Sequence, residues 1–336
     1  MKCVILAGGS GDSLWPLSRK NYPKQFKNIK EGRSLLQETV VRNMPFCDEF
    51  IIVTKESYRN IVNGQMKAFQ SLKYRVVLEG SPKGTAAAIM LGSQFCNQSE
   101  LVFVVTADNL IEGQEYKDAI IRAKELAKQG SIVALGVKPA KKNSNFGYLL
   151  RDEENVLKFI EKIRLDESFG YDDGFLWNSG MFLYRAGDLI NAARAICPEL
   201  YDTCRMAKRK IAAIRRTVRF SQKVMKDIPQ GSIERLIFEK LKDMKVVETA
   251  FRWKDVGNVC DLDENSSVSH SENVLKNHCE DVMVINSADR QLVVTNDIQD
   301  VVVVNTEDAV YVSSKERVDD IKNIISENKE KYENYF

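Results

Sequence analysis

Short continuous apolar runs alternate with helix-spaced apolar positions through the first two thirds of the chain. Cys3-Val4-Ile5-Leu6, Phe50-Ile51-Ile52-Val53, Arg75-Val76-Val77-Leu78, Leu101-Val102-Phe103-Val104-Val105 and Ser131-Ile132-Val133-Ala134-Leu135 have the look of strands buried on both faces. Between them, Leu35 to Asn43, Ser57 to Phe69 and Thr85 to Cys96 carry apolar residues at helical spacing. The β-α-β-α order predicts an α/β fold, a doubly wound and mostly parallel sheet with right-handed crossovers.

The texture changes after Trp253. A polar stretch from Asp261 to Asn273 leads into closely spaced apolar runs at Val282 to Ile285, Gln291 to Thr295, Val301 to Val304 and Val310 to Val312. Turn residues such as Asn296-Asp297 and Asn305-Thr306 separate them, so a compact β unit is predicted. The expected division is a first domain over 1–263 and a second over 264–336. Lys315 to Tyr332 repeats apolar residues at Val318, Ile321, Ile324 and Ile325, the spacing of a helix that closes the β unit. The basic run of Arg205, Lys208, Arg209, Lys210, Arg215, Arg216 and Arg219 is read as the solvated face of a helix, since no aromatic platform accompanies it.

Composition narrows the function classes. Hydrophobic residues at 44% and charged residues at 29% are ordinary globular usage, which excludes disorder and fibrous repeats. A net charge of +2 is too small to hold a polyanion by bulk attraction, so no nucleic-acid partner is expected. No run reaches the 18 apolar residues of a membrane span, and the apolar run after Met1-Lys2 is too short for a secretory signal. A cytoplasmic protein without a membrane partner is expected. The cysteines form no Cys-x-x-Cys pair and only His270 and His278 are available beside them, so neither zinc nor a disulfide framework is expected.

The first strand runs into Leu6-Ala7-Gly8-Gly9-Ser10-Gly11. Glycines there let backbone N–H groups approach phosphate oxygens at the carboxyl end of a strand, where open α/β sheets bind ligands. A dinucleotide fingerprint would require a glycine where Leu14 stands, and a P-loop would require Gly-Lys-Ser/Thr, so a nicotinamide oxidoreductase and a P-loop NTPase are both disfavoured. The glycines alone fit a tight strand-to-helix turn equally well.

The longer string resolves this. Leu6-Ala7-Gly8-Gly9-Ser10-Gly11, Leu14-Trp15-Pro16-Leu17-Ser18-Arg19, Pro23-Lys24-Gln25-Phe26, Thr106-Ala107-Asp108, Phe146-Gly147-Tyr148, Phe159-Ile160-Glu161-Lys162, Trp177-Asn178-Ser179-Gly180-Met181-Phe182, Ser232-Ile233-Glu234, Glu239-Lys240 and Trp253-Lys254-Asp255-Val256-Gly257 occur in that order. In these motifs the chain resembles the sugar nucleotidyltransferases, specifically the bacterial mannose-1-phosphate guanylyltransferases, over nearly its full length. The β-rich tail is similar to that family's small left-handed β-helix domain.

The resemblance implies that an NTP, GTP in most relatives, and a sugar 1-phosphate are joined to give a nucleoside-diphosphate sugar such as GDP-mannose, with pyrophosphate as the other product. It implies Mg²⁺ held by Asp108 and Asp255, and a phosphate-binding role for Lys24; these three are the expected catalytic residues. Nucleotide binding is implied for Leu6, Ala7, Gly8, Gly9, Ser10, Gly11, Glu79, Thr85 and Asp108, and sugar-phosphate binding for Gly147, Glu161, Lys162 and Asn178. Relatives are often homodimers. The chemistry suits these residue types: two anionic reactants need cations and positioning, Mg²⁺ prefers a few carboxylates with phosphate oxygens, and a carboxamide reads a hydroxyl. Taken without the resemblance, Asp108 also fits a helix cap and Glu161-Lys162 a surface ion pair at a strand end.

One departure stands out. The family's Thr-Arg or Glu-Arg after the glycines is Asp12-Ser13 here, which removes a cation that clamps the triphosphate. A carboxylate ~5 Å from a phosphate charge at an effective dielectric of ~20 is repelled by roughly 3 kcal/mol. Glu79-Gly80, Lys83-Gly84-Thr85, Asp108-Asn109 and Glu161-Lys162-Ile163 also depart from the usual strings. A non-catalytic nucleotide-sugar-binding homologue, or a relative with another base or sugar, is therefore the alternative expectation. Lys83, Arg19 and Lys20 are the candidates to replace the lost cation.

Overall fold

The computed structural model describes residues 1–30, 32–140, 142–143, 145–161, 174–214, 216–262, 269, 271–328 and 330–335. They divide into two compact units, the first comprising 1–8, 42–106 and 111–253 and the second comprising 9–41, 107–110 and 254–336.

The first unit is built on one sheet. Its strands are β1 (Lys2–Leu6), β2 (Glu49–Lys55), β3 (Lys73–Glu79), β4 (Leu101–Thr106), β5 (Ile132–Val137), β6 (Tyr148–Asp152), β7 (Asn155–Ile160), β8 (Phe175–Arg185), β9 (Ala212–Ile214), β10 (Thr217–Phe220) and β11 (Met244–Thr249). Their spatial order is β9-β10-β3-β2-β1-β4-β8-β5-β11-β7-β6, with a further pairing of β8 and β6. β10, β3, β2, β1 and β4 run parallel, as do β5 and β11. The expectation of a mostly parallel sheet is corrected by β8, an 11-residue strand that runs antiparallel to β4, β5 and β6. β7 also runs antiparallel to β6 and β11, and β9 to β10, so the sheet is mixed.

Burial explains the strands. Val4, Ile51, Val53, Val77, Val102 and Val104 are fully enclosed, and the helix Thr85–Ser93, apolar on all sides, is buried against them. Its Gly92 leaves room for Val4, whose Cγ1 would lie 2.9 Å from an added Cβ. Within β8 the register to β5 slips between Asn178 and Phe182, and Gly180 takes φ +73°. Such a bulge re-aims side chains. The Ser179 hydroxyl secures it on the Leu135 carbonyl at 2.6 Å.

The basic run between 205 and 219 is not one helical face. The helix Pro198–Lys208 ends early, and β9 and β10 form a hairpin at the sheet edge, while Arg215 lies outside the described residues. Alternation at Val218 and Phe220, both buried, outweighs the helical reading of the charges.

The second unit contains a coil. Its strands are β12 (Val274–Asn277), β13 (Met283–Asn286), β14 (Val293–Asn296), β15 (Val301–Asn305) and β16 (Val310–Ser314). β12 pairs parallel with β14 and β13 with β15, and an isolated bridge joins Glu280 to Gln299. Val274 and Val293, Glu280 and Gln299, and Met283 and Val302 are each 19 residues apart, so the chain climbs by one rung every 19 residues. The corners repeat with the same offset: His278 and Asp297, then Asp281 and Asp300, all adopt φ near +50°. The Asn305 Nδ2 donates to Asn286 Oδ1 at 2.9 Å, and Asn277 and Asn296 pair likewise. Met283, Ile285, Val302 and Val304 pack with Leu14, Leu17 and Leu35, and with Val318, Ile321 and Ile325 of the turn and helix that close the unit.

Candidate functional site

The glycine turn follows β1. The Ala7 N–H donates to the Val53 carbonyl at 2.8 Å, and its own carbonyl accepts from the Thr54 hydroxyl at 2.8 Å. Leu6, the last residue of β1, is half-buried. Gly9 and Ser10 are exposed, and Gly11 is buried in the left-handed region at φ +76°. A Cβ on Gly11 would lie 2.7 Å from the backbone nitrogen of Lys24 and from Pro23 Cβ, so only glycine allows the loop to fold back on Pro23-Lys24. Gln25 Nε2 donates to the Gly9 carbonyl at 3.0 Å, the Ser18 hydroxyl donates to the Gly11 carbonyl, and Leu14 and Leu17 anchor the far side in the apolar core.

This fold-back sets Lys24 in a carboxylate pair. Its side chain is 10% exposed, and Nζ lies 3.1 Å from Asp108 Oδ2 and donates to the Val256 carbonyl at 2.6 Å. The Val256 N–H in turn donates to the Asp108 carbonyl at 3.2 Å, which holds the segment of Asp255 against that of Asp108. Burial alone would lower the Lys24 pKa; Asp108 and Asp255, helped by Asp261, overcome it and raise it above the ordinary lysine value. Asp108 does not cap a helix, because the strand Asn109–Glu112 follows it.

The first unit holds the other predicted residues. Glu79 ends β3 at 4% exposure, with its Oε2 3.7 Å from where a Cβ on Gly8 would stand. Its Oε1 has no hydrogen-bond partner, and burial pushes its pKa up to about 8 against the opposing pull of Lys55. Thr85 opens the helix Thr85–Ser93; its Oγ1 accepts the Ile233 N–H at 3.0 Å and lies 3.4 Å from Glu234 Oε2. Asn178 donates from Nδ2 to Glu234 Oε1 at 3.2 Å, and its Oδ1 accepts the Gly180 N–H at 3.0 Å. Its own N–H donates to the Gly147 carbonyl at 2.8 Å, and a Cβ on Gly147 would lie 3.1 Å from Glu161 Oε2. Thus Asn178, Gly147 and Glu161 are brought together, with the Glu161 N–H on Glu239 Oε1 at 3.1 Å. Lys162 lies outside the described residues.

The cations named as replacements for the lost clamp are engaged elsewhere. Arg19 pairs with Asp308 at 2.6 Å, Lys20 with Glu333 at 3.3 Å, and Lys83 donates to the Lys226 carbonyl at 3.2 Å. Asp12 is exposed and Ser13 buried. Glu234, Gln25 and the Val256 carbonyl were not assigned roles from the sequence. Glu234 stands in a quoted motif, and its position two residues after the helix-capping Ser232 was the available signal.

A glycine turn follows a strand of the mixed sheet, and a buried lysine further on lies against Asp108, an arrangement carried by an α/β fold. The nucleotidyl transferase family profile matches residues 2–272, and the chain belongs to that family. It is 32% identical over 289 residues to the mannose-1-phosphate guanylyltransferase RfbM of Salmonella typhimurium strain LT2, a match covering 81% of this chain and 60% of that protein. The chain thus spans about three fifths of the length of that curated relative. Among solved structures, a Thermus thermophilus protein described as a mannose-1-phosphate geranyltransferase superposes with TM-score 0.80 at 25% identity, covering 97% of this chain and 98% of that one. A Helicobacter pylori protein described as a mannose-6-phosphate isomerase superposes with TM-score 0.69 at 30% identity, covering 76% of this chain and 99% of that one.

Proposed function

We propose that the protein joins an NTP to a sugar 1-phosphate, with GTP and mannose 1-phosphate as substrates and GDP-mannose and pyrophosphate as products. The observation that carries this reading is the Lys24 ammonium between Asp108 and the Asp255 segment, behind the Gly9-Ser10-Gly11 turn. The name of the Salmonella relative supports the base and the sugar, and that of the Thermus protein supports mannose 1-phosphate.

In the reaction a phosphate oxygen of the sugar 1-phosphate attacks the α-phosphorus of the NTP, the α–β phosphoanhydride bond breaks, and pyrophosphate leaves with the electron pair. No covalent protein nucleophile is needed, so positioning and charge compensation carry the catalysis. Lys24 supplies a fixed positive charge to the phosphates. Gly9 and Ser10 are exposed, and backbone N–H groups in such a glycine turn are suited to phosphate oxygens.

The donor set fits Mg²⁺. Two carboxylates supply hard oxygen ligands, and that of Asp108 is 30% exposed. Asp108 and Asp255 would hold the ion. When bound, the ion supplies charge neutralisation to the nucleotide phosphates.

On the recognition side, Glu79 and Thr85 are assigned to the nucleotide, and Gly147, Glu161, Lys162 and Asn178 to the sugar phosphate. The unpartnered Glu79 Oε1 supports this: a buried acceptor without a donor is costly, and guanine offers adjacent N–H donors. Residues 1–263 carry the transferase chemistry in this reading, and 264–336 form a small left-handed β-helix with its closing helix; the constant 19-residue offset supports the coil. A cytoplasmic homodimer completes it. No helix among the described residues is long and apolar enough to cross a membrane, and the exposed Leu275 and Val294 on neighbouring rungs are apolar enough for self-association.

The test is pyrophosphate release by purified protein with Mg²⁺, screened over four NTPs and several sugar 1-phosphates. Highest turnover with GTP and mannose 1-phosphate supports the proposal, and silence from correctly folded protein across the whole panel refutes it.

A further inference from the structure

The carboxylate of Glu234 lies 7% exposed, at the N-terminal turn Ile233–Leu236, and has two long-range partners. One oxygen accepts from Asn178 Nδ2 at 3.2 Å and the other faces Thr85 Oγ1 at 3.4 Å. Thr85 and Asn178 belong to different elements, a helix N-terminus and the β8 bulge, and are assigned above to different substrates. Glu234 is the single side chain hydrogen-bonded to both among the described residues.

Each partner is fixed by further bonds. The Asn178 Oδ1 is held by the Gly180 N–H, so the contact with Glu234 settles which way its carboxamide points. One N–H and one lone pair are then left for a ligand. Thr85 Oγ1 accepts the Ile233 N–H, which directs its proton to Glu234. The backbones of these segments are also joined: the Gly231 N–H donates to the Lys83 carbonyl at 2.9 Å and the Ala86 N–H to the Gly231 carbonyl at 3.2 Å. Gly84 has φ +93°, and a Cβ there would stand 2.4 Å from the Gly231 oxygen, so the two segments touch with no side chain between them. Burial raises the Glu234 pKa, and hydrogen bonds from its own backbone N–H, Asn178, Ser232 and Thr85 pull it back.

We propose that Glu234 is a positioning residue that orients Asn178 toward the sugar phosphate and links it to Thr85, so that binding of the two substrates is interdependent. This rests on the roles proposed above for Thr85 and Asn178. A ligand that tightens Thr85 tightens Glu234 and with it the carboxamide, and by linkage the effect runs equally in the other direction. Glu234 itself touches no reacting atom.

The test measures KM and kcat for both substrates by pyrophosphate release in wild type, Glu234→Gln, Asn178→Ala, the double variant and Thr85→Val. Glu234→Gln is expected to raise the sugar 1-phosphate KM about tenfold, the loss of one charge-assisted hydrogen bond, with kcat nearly unchanged. Because Glu234 acts through Asn178, the double variant should be no worse than Asn178→Ala alone, whereas effects that multiply would overturn the proposal. Thr85→Val provides a check if Glu234→Gln does not fold: it should raise the sugar 1-phosphate KM at least threefold, by the same coupling. An unchanged sugar KM in Thr85→Val would also overturn it. Wild type without turnover would instead defeat the proposed function, so the two failures are separable.

Discussion

Lys24 and Asp108 meet at 3.1 Å, with the lysine more deeply buried than its partner and a second bond from Nζ to the carbonyl next to Asp255. A buried lysine is normally a liability, and here the neighbouring carboxylates reverse it. In the proposed reaction this pair arranges charge for a phosphate as well as joining two chain segments.

Removing the ammonium should expose that arrangement. Lys24→Met leaves Asp108 and the Asp255 carboxylate without their shared cation, and kcat should fall about 10²- to 10³-fold, the usual effect of losing one preorganised charge. Steady-state pyrophosphate release measures it. Because the Lys24 pKa is raised, the stability it contributes is full below the unfolded lysine value and is lost only as pH rises through the higher folded value. Wild-type and Lys24→Met unfolding should therefore differ by a constant amount from pH 6 to 9.

Glu79 predicts the opposite kind of pH behaviour. Its pKa of about 8 against an ordinary 4.5 means the folded protein holds a proton that the unfolded chain has released across that window. The stability contribution is full below 4.5 and is lost as pH rises through 8, by up to about 1.4 kcal/mol per unit. Glu79→Gln should remove the slope. Urea unfolding at pH 5 and pH 8.5 should show the variant gaining on wild type at the higher pH, and parallel behaviour would contradict the assignment.

The glycine turn makes a sharp comparison. Gly11→Ala must place a Cβ against the Pro23-Lys24 backbone at φ +76° and should cost more than about 2 kcal/mol, with loss of activity. Gly9→Ala meets nothing within 4 Å and should fold normally. Thermal unfolding of both variants checks the difference.

Asp12 and Ser13 should respond differently to substitution. Asp12 is exposed, so Asp12→Asn removes a like charge at little structural cost and should lower the NTP KM about threefold, a surface-scale electrostatic effect. Ser13 is buried on a tight turn, so Ser13→Arg should destabilise the loop without raising kcat. Kinetics with unfolding curves distinguish the two outcomes.

The parts most legible in the chain were those with strong local patterns. The buried runs became β1 to β5 within a residue or two, and the closing helix fell where Ile321 and Ile325 indicated. Asp108 and Asp255 lie 147 positions apart in sequence, and both carboxylates act on the Lys24 ammonium, a relationship that the family resemblance suggested and local periodicity does not encode. The resemblance implied a β-helix in the tail, but the 19-residue period was not legible in the residues themselves, because only the corner residues and the asparagine pairs repeat visibly. The bulge at Ser179-Gly180 and the turning-back of β8 depend on pairing between distant strands, which local periodicity does not encode. The basic run misled for a related reason: Lys208, Arg209, Lys210, Arg216 and Arg219 are exposed, whereas the strand there follows from pairing with β3 and the burial of Val218 and Phe220.

The most direct measurement of the central claim is Mg²⁺-dependent pyrophosphate formation from GTP and mannose 1-phosphate by wild type and by Asp108→Ala and Asp255→Ala. The account predicts turnover in wild type that stops on chelation, and a loss of at least about 10²-fold in each folded variant. Full activity in either variant would contradict it.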